Sequence, residues 1–218
     1  MRTFIKAKPI FLGLLIAVGL FAQGSRAHAA TETLIVAGGC FWCVESDFES
    51  VKGVKSAVSG YTGGTTKNPT YKQVTKGGTG HYEAVKITFD PNVVGADRLL
   101  HMFFRSVDPT DAGGQFCDRG QSYATAVFVS NKAQKAAAEE AKAEAQADLG
   151  RNVVTPILKS SRFYDAEDYH QDYYKGDNLV LTRFGPKRQS EAYKRYRKAC
   201  KRDAKVKSLW GSAAPFAH

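Results

Sequence analysis

The stretch Thr33-Leu-Ile-Val-Ala-Gly-Gly-Cys-Phe-Trp-Cys-Val44 joins an apolar run to a glycine pair and then to two cysteines. The apolar residues 33–37, closed by Gly38-Gly39, predict a buried strand that ends in a tight turn. A helix is expected to follow at once, because apolar side chains recur at helical spacing until Gly53 ends the pattern. Cys40 is therefore predicted to lie where the strand turns into the helix.

The pattern continues beyond this first strand and helix. Strands are predicted at 54–61, 85–89, 125–129 and 153–158, and helices at 97–107 and 131–150. Asn131 and Gln134 form a capping pair for the second of these helices. The first six elements follow the split β-α-β order of ferredoxin-like folds. We expect an α/β protein, a ferredoxin-like two-layer α+β sandwich extended by a helix, a strand and an irregular C-terminal segment. Residues 60–82 and 108–123 are predicted to be long loops.

The N-terminus carries the pattern of a secretory signal peptide. Bases are followed by an apolar run from Pro9 to Ala22 and by the small residues of Ala27-His28-Ala29. The run is shorter than the roughly 20 residues of a membrane span, although an uncleaved anchor is the alternative. Residues 1–29 hold four bases and no acids, so their removal lowers the net charge from +10 to +6. We expect a signal peptide at 1–29, one domain at 30–218, and export to the periplasm as a monomer without stable membrane insertion.

Cys40 has the setting of a reactive cysteine. Unpaired backbone N–H groups at a helix start favour an anion, so we expect the pKa of the Cys40 thiol to be depressed. Alone, Cys40-Phe-Trp-Cys43 is equally typical of a thioredoxin-like disulfide exchanger. Val44, where a haem attachment site would need His, argues against haem, and zinc would need a second regularly spaced ligand pair. Phe41 and Trp42 suit a substrate with an apolar methyl group, and core packing is their alternative.

The C-terminal region is strongly basic. Eleven Lys or Arg lie between Arg183 and Lys207, against Glu191 and Asp203. A solvated basic helix is the simplest interpretation, and nucleic-acid binding is the alternative. Export and the lack of any nucleic-acid motif favour the first, so no nucleic-acid partner is expected.

Several further motifs occur in one order through residues 34–174. They are Gly39-Cys-Phe-Trp-Cys-Val-Glu45, Gly60-Tyr-Thr-Gly-Gly64, Tyr71-Lys-Gln-Val74, Gly80-His-Tyr-Glu83, Asp108-Pro-Thr-Asp111, Asp118-Arg-Gly-Gln-Ser-Tyr123 and Ala166-Glu-Asp-Tyr-His-Gln171. In these motifs the chain resembles peptide methionine sulfoxide reductase of the A type. The resemblance implies reduction of the S epimer of methionine sulfoxide, in proteins and as the free amino acid. It implies a thioredoxin-like electron donor and neither a metal nor an organic cofactor.

The resemblance also implies a role for each site residue. It makes Cys40 the nucleophile and places the substrate methyl against Phe41 and Trp42. The sulfoxide oxygen would be surrounded by Glu83, Tyr71 and Tyr123. Asp118 would hold water or the substrate backbone. The chemistry agrees, because the leaving oxygen must be protonated and a desolvated Glu83 would keep its proton near pH 7. Without the resemblance, Glu83 would be an exposed residue before a strand, the tyrosines ordinary half-buried side chains, and Asp118 a turn residue. His170 could suggest a catalytic role, but the stretch Asp168-Tyr-His-Gln171 is expected instead to order the chain near the pocket by hydrogen bonding.

The sulfenic acid formed on Cys40 must condense with a second thiol. Cys200, Cys43 and Cys117 are the candidates. Cys43 would need local unwinding if both cysteines were helical. Cys200 lies in the terminal segment, where relatives often carry cysteines, and it is slightly preferred. Cys117 is unusual before Asp118, so Cys117 and Cys200 could instead form a structural or relay disulfide.

Overall fold

The computed structural model describes residues 30–182 and 185–217, and a six-stranded sheet forms its centre. The strands are β1 (Glu32–Gly38), β2 (Val54–Thr62), β3 (Tyr82–Phe89), β4 (Gly114–Gln115), β5 (Asp118–Arg119), β6 (Thr125–Val129), β7 (Ile157–Lys159), β8 (Tyr164–Asp165), β9 (Leu179–Thr182) and β10 (Gly185–Arg188). The helices are α1 (Phe41–Glu49), α2 (Tyr71–Lys76), α3 (Ala96–Phe104), α4 (Lys132–Leu149), α5 (Gln189–Ala199) and α6 (Arg202–Trp210).

The strand order of the main sheet is β7-β6-β1-β3-β2-β8. Its four middle strands, β6-β1-β3-β2, are antiparallel and give the split β-α-β arrangement, so the ferredoxin-like prediction is confirmed. The added helix and strand are confirmed too, because β7 follows α4 and pairs parallel with β6. β1 is apolar from Leu34 to Ala37 and lies inside the sheet, where Val36 pairs with Val85 on one edge and with Val127 on the other.

This antiparallel pairing brings the candidate site together. Val36 and Val85 are the last paired residues of the β1–β3 ladder. Cys40, which follows β1, and Glu83, at the start of β3, therefore lie at the same end of the sheet. Helices α1, α3 and α4 cover one face, with Phe48, Leu100 and Ala141 among their core residues.

Several local predictions agree with the structure. The Asn131 side chain accepts the backbone N–H of Gln134 over 2.8 Å at the start of α4, and Gly150 ends that helix in a left-handed conformation. The loop predicted at 60–82 is wrong in part, since it contains α2. The Thr70 side chain accepts the backbone N–H of Gln73, and the Gln73 side chain accepts the backbone N–H of Thr70 in return.

The C-terminal segment is not irregular, and that prediction is corrected. It contains the β9–β10 hairpin and the helices α5 and α6. Its order comes from long-range contacts, such as the buried Arg202 guanidinium, which donates to the carbonyls of Gly38 and Ser106 over 3.0 Å each. The predicted signal peptide, residues 1–29, lies outside the described residues. Within the part of the chain that the structure describes, no helix has the length and apolar character of a membrane span.

Candidate active site

Cys40 is the N-cap residue of α1. Its carbonyl accepts the backbone N–H of Cys43 over 3.1 Å and that of Val44 over 3.4 Å. The turn before it requires glycine at position 39, where φ is +83° and a Cβ would come within 2.6 Å of the Gln115 Cβ. The sequence prediction that Cys40 lies between the strand and the helix is confirmed.

A small cavity of about 50 Å³ opens beside the Cys40 sulfur. It is lined by Cys40, Phe41, Trp42, Tyr71, Glu83, Asp118, Tyr123 and Tyr196. The seven residues predicted for catalysis and substrate binding are thus brought together from β1, α1, α2, β3, β5 and the turn before β6. Their individual roles stay predictions. A cavity of this size suits small groups such as a methyl and a sulfoxide oxygen.

Glu83 is buried at the back of this cavity. Its Oε2 accepts the backbone N–H of Phe41 over 3.1 Å, and its Oε1 has no hydrogen-bond partner among the described residues. Burial raises the pKa of Glu83 to about 8, against the lowering effect of the Phe41 N–H. The carboxyl group is therefore mostly protonated at pH 7. Its Oε1 makes no hydrogen bond of standard geometry, although the Tyr123 hydroxyl is close enough to lower the pKa, so Oε1 can bond to a ligand.

Tyr71 and Tyr123 bring two phenols to the same cavity. Burial, and then the charge of Glu83, raise the pKa of both tyrosines, so both hydroxyls keep their protons. Tyr71 is the first residue of α2, and the Glu167 carboxylate accepts its backbone N–H over 2.9 Å. The other oxygen of Glu167 accepts the Tyr61 hydroxyl over 2.8 Å, which fixes the carboxylate in place. Both phenols can donate hydrogen bonds to an oxygen that gains negative charge.

Phe41 and Trp42 form the apolar wall. The Trp42 ring stacks on Tyr173, with 3.8 Å between ring centroids. Phe41 is fully buried and contacts the rings of Tyr71 and His170, so it belongs to the core as well as to the cavity. A dry aromatic wall of this kind favours an apolar methyl group.

The depressed pKa expected for Cys40 is wrong for this state of the protein. Burial raises the pKa of the Cys40 thiol, and a hydrogen bond with Cys43 and the charge of Glu83 raise it further. The helix N-terminus does not serve the thiolate as predicted, because its Phe41 N–H donates to Glu83. The turn also buries the sulfur, with Cys40 only 7% exposed.

Cys43 is the more acidic thiol of the pair. The hydrogen bond from Cys40 lowers the pKa of Cys43, and the guanidinium groups of Arg202 and Arg197 add to this against the opposing effect of burial. Arg197 also bonds to Asp47 over 2.7 Å. Cys40 is the N-cap residue rather than a helical one, so the condition under which unwinding is predicted does not apply, and the two thiols lie in hydrogen-bond contact.

Tyr196 was missed by the sequence analysis. Its side chain lines the cavity, and its hydroxyl donates a hydrogen bond to the Asp118 carboxyl group. Burial raises the pKa of Asp118. Ala192, Tyr196 and Cys200 follow each other at four-residue spacing on α5. Residues four positions apart share one face of a helix, so this spacing, which ends at a cysteine, could have indicated that this face of α5 lies towards the site.

His170 orders the pocket by ring packing rather than by hydrogen bonding. Its ring lies 4.3 Å from the Tyr71 ring centroid, and neither ring nitrogen has a hydrogen-bond partner among the described residues. Burial lowers the pKa of His170 to about 4, so the ring is neutral at pH 7. Within the stretch Asp168–Gln171, the predicted hydrogen bonds come from Gln171, whose side chain bonds to the backbone of Ser59 over 3.0 and 2.9 Å.

The four cysteines are divided into a thiol pair and a disulfide. Cys117 and Cys200 are bonded to each other, with 4.9 Å between their Cα atoms, while Cys40 and Cys43 are free. In this state Cys43 is the one resolving candidate that carries a thiol. The resolving role itself stays a prediction.

Two groups of described residues present possible metal ligands within 4.8 Å, namely Cys117, Asp118 and Cys200, and Glu45, Glu49 and Asp172. The two sulfurs of the first are bonded to each other. In the second, Lys175 pairs with Glu49 over 2.9 Å and with Asp172 over 2.8 Å. The candidate ligand atoms of both groups are therefore already bonded to other protein atoms.

The fold and the cavity together are those of a cysteine-based reductase. The family model described as peptide methionine sulfoxide reductase matches residues 32–212. The chain belongs to this family, and to its A type.

Similar proteins agree with this placement. A peptide methionine sulfoxide reductase MsrA 2 of Caulobacter vibrioides is 47% identical over 203 residues, which cover 91% of this chain and 97% of that protein. One from Staphylococcus aureus is 45% identical over 183 residues, 83% of this chain and 97% of that protein. Among solved structures, Mxr1 of Saccharomyces cerevisiae in reduced form is similar with a TM-score of 0.64 and 30% identity, covering 67% of this chain and 85% of that one. Methionine sulfoxide reductase A of Corynebacterium diphtheriae is similar with a TM-score of 0.61 and 31% identity, covering 68% of this chain and 76% of that one.

Proposed function

We propose that this chain reduces the S epimer of methionine sulfoxide to methionine, both in oxidised proteins and as the free amino acid. One observation carries the proposal: Cys40 and a protonated Glu83 with a free oxygen line one small cavity with an aromatic wall. Protein repair after oxidative damage is the corresponding biological role.

The first step transfers the oxygen atom. Cys40 attacks the sulfoxide sulfur as its thiolate, and Cys43, the more acidic of the two hydrogen-bonded thiols, is the neighbouring group that takes the Cys40 proton when it is ionised. Glu83 gives its proton to the sulfoxide oxygen, while Tyr71 and Tyr123 donate hydrogen bonds to it. The oxygen passes to the Cys40 sulfur, methionine leaves as the thioether, and Cys40 becomes a sulfenic acid. The sulfoxide is reduced and the cysteine is oxidised by two electrons.

The second step removes the oxygen as water. The Cys43 sulfur attacks the Cys40 sulfur, an S–S bond forms, the S–O bond breaks, and the hydroxyl leaves with a proton. The position of Cys43, one helical turn from Cys40 and in hydrogen-bond contact with it, supports this assignment. A dithiol donor of the thioredoxin type then reduces the disulfide, and no bound metal or organic cofactor takes part, because side chains supply each group that the steps use.

The protein is proposed to act in the periplasm, as a monomer, after removal of residues 1–29. The support is the order of bases, apolar run and small residues at the N-terminus. Mass analysis of the protein recovered from cells should give a chain that begins at Ala30. A chain that retains residues 1–29 would contradict this part of the proposal.

The activity is tested with separated epimers. The domain of residues 30–218, with dithiothreitol, should reduce the S epimer and leave the R epimer unchanged. Cys40→Ser should abolish the reaction. Equal reduction of both epimers, or full activity of the Cys40→Ser variant, would contradict the proposal.

A general disulfide exchanger is the alternative that the Cys40-x-x-Cys43 spacing leaves open. The burial of the first cysteine argues against it, since Cys40, which would attack a protein disulfide, is only 7% exposed. Reduction of insulin disulfides at a rate similar to that of sulfoxide would favour the alternative.

A further inference from the structure

Glu45 is a buried carboxyl group that the proposed reaction does not use. It lies on α1 and is 1% exposed. A carboxyl group buried in this way costs free energy of folding unless hydrogen bonds satisfy its oxygens. Both oxygens of Glu45 are bonded, and the two bonds run to distant parts of the chain.

The two bonds connect the segment 171–175 to the sheet through α1. The Ser59 hydroxyl of β2 donates to Oε2 of Glu45, and the backbone N–H of Asp172 donates to Oε1 over 2.6 Å. Asp172 has a φ of +54°, a left-handed conformation that is uncommon for residues other than glycine. The bond to Glu45 therefore fixes the backbone turn that directly precedes Tyr173.

Tyr173 links this turn to the catalytic cavity. Its buried ring stacks on the Trp42 ring, with 3.8 Å between centroids and 7° between the ring planes. Trp42 lines the cavity, and its Nε1 has no hydrogen-bond partner among the described residues. The position of the indole ring therefore depends on packing against other rings. Of the described rings that contact it, Tyr173 has the shortest centroid distance.

Other contacts hold the ends of the segment 171–175. The Gln171 side chain bonds to the backbone of Ser59, and Lys175 pairs with Glu49 over 2.9 Å. Among the described residues, Glu45 is the one whose side chain bonds to the backbone N–H of the residue before Tyr173. Glu45 thus holds the middle of the segment, where the stacked ring is attached.

We propose that Glu45 is a positioning residue for the reaction: through the Asp172 N–H and the Tyr173 ring, it determines where the Trp42 indole meets the substrate methyl. The proposal rests on the proposed function, since it concerns the wall of the same cavity. Substrate binding should depend on Glu45 more than oxygen transfer does, because the acid that protonates the oxygen is held separately by the Phe41 N–H.

The kinetic test measures methionine release from the S epimer in single turnovers. Glu45→Asp shortens the side chain by one methylene group and so withdraws the acceptor from the Asp172 N–H. The substrate concentration at half of the maximal rate should rise about fivefold, as expected when one aromatic stacking contact is lost. The maximal rate should change by less than about twofold, because binding rather than the chemical step is affected.

Two matched variants accompany this measurement. Glu45→Gln keeps an oxygen acceptor at the same distance along the side chain and should restore the wild-type half-saturating concentration. Asp172→Asn keeps the backbone N–H and tolerates the left-handed conformation, although it loses the ion pair with Lys175, so it should also resemble the wild type. A half-saturating concentration that is equal in Glu45→Asp and Asp172→Asn would overturn the proposal.

A double-mutant cycle tests whether Glu45 acts through Tyr173. Tyr173→Leu removes the stack on Trp42 and should raise the half-saturating concentration by a similar factor. Adding Glu45→Asp to this variant should have little further effect, since both changes break one chain of contacts. Effects that multiply in the double variant would overturn the proposal.

A spectroscopic test is independent of activity. The chain has two tryptophans, so the indole N–H signals in a ¹H–¹⁵N NMR spectrum report on Trp42 and Trp210 separately. Glu45→Asp should shift the Trp42 signal and leave that of Trp210, whose N–H donates to the Val107 carbonyl, unchanged. Ser59→Ala, which removes the bond to Oε2, is the second variant and should shift the same signal.

A Trp42 signal that stays at its wild-type position in both variants would overturn the proposal. Failure of the wild type to release methionine from the S epimer would instead contradict the proposed function. The NMR result does not depend on turnover, so the two failures are distinguishable.

Discussion

Glu83 illustrates what a single residue's sequence position can and cannot indicate. The residue was predicted by resemblance, and from the residues alone an exposed position before a strand was the better interpretation. Its burial and its free Oε1 depend on α1, since the Phe41 N–H fixes the other oxygen. The proton at pH 7 is a consequence of this tertiary environment, which no local pattern contains.

Replacing this carboxyl group tests its role as the acid. Glu83→Gln should lower kcat/KM for the S epimer by about 10² to 10⁴, the usual contribution of a general acid. In the wild type kcat/KM should fall as the pH rises through about 8, because the carboxyl group then loses its proton. The variant should lack this decrease, since glutamine does not titrate in this range. A wild-type rate that stays constant from pH 7 to pH 10 would be inconsistent with the assignment.

The two free cysteines titrate as a pair, and that pairing also escaped prediction. The hydrogen bond and charge of Cys43 raise the pKa of Cys40. Cys43→Ala should therefore lower the pKa of Cys40, as measured by the pH dependence of its alkylation by iodoacetamide. The Cys117–Cys200 disulfide leaves Cys40 as the sole thiol of the variant, which makes the measurement unambiguous. Alkylation that requires a higher pH in the variant than in the wild type would refute the pairing.

At the scale of elements, the sequence pattern was sufficient wherever one strand or helix carries its own signal. β1, α1, β6 and α4 were predicted because apolar spacing, glycines and caps are local features. α2 was missed because it has six residues and lies in a polar, glycine-rich segment. The sequence does contain one local indication of α2, the capping box Thr70-x-x-Gln73, and this cap positions Tyr71.

Loss of that cap should affect substrate binding more than global stability. Thr70→Ala removes a hydrogen bond at the start of α2, a loss of about 1 kcal/mol, and should raise the KM for the sulfoxide several-fold through Tyr71. Asn131→Ala is the matched control, because it removes the equivalent cap of α4, which begins beyond the opposite end of the sheet from Cys40. Substrate KM values that change equally in both variants would show that α2 does not position the phenol.

At the scale of the whole molecule, the C-terminal segment completes the site. A solvated basic helix was the simplest interpretation of its composition, and the exposed lysines of α5 fit it. Arg202 does not fit this interpretation, because its guanidinium group is buried between the carbonyls of Gly38 and Ser106. It also lies 4.8 Å from the Phe116 ring centroid. Contacts across more than ninety residues leave no trace in local periodicity, which is why this closure could not be predicted.

The buried guanidinium should be important for stability. Arg202→Lys replaces its planar fork with a single ammonium group and leaves a backbone carbonyl unpaired, so the free energy of unfolding should fall by about 2 to 4 kcal/mol. Urea unfolding with the disulfide intact measures this. Lys201→Met, at the exposed neighbouring position, should change it by less than about 0.5 kcal/mol. Equal stability of the two variants would exclude a structural role for Arg202.

A single turnover without reductant tests the central claim most directly. Protein with all four cysteines present, the Cys117–Cys200 bond intact and one equivalent of the S epimer should release one equivalent of methionine. Mass mapping of samples quenched at the earliest times should then find oxygen on Cys40, or the Cys40–Cys43 disulfide that follows from it. Methionine formed without any oxidation of Cys40, or no methionine at all, would contradict the account.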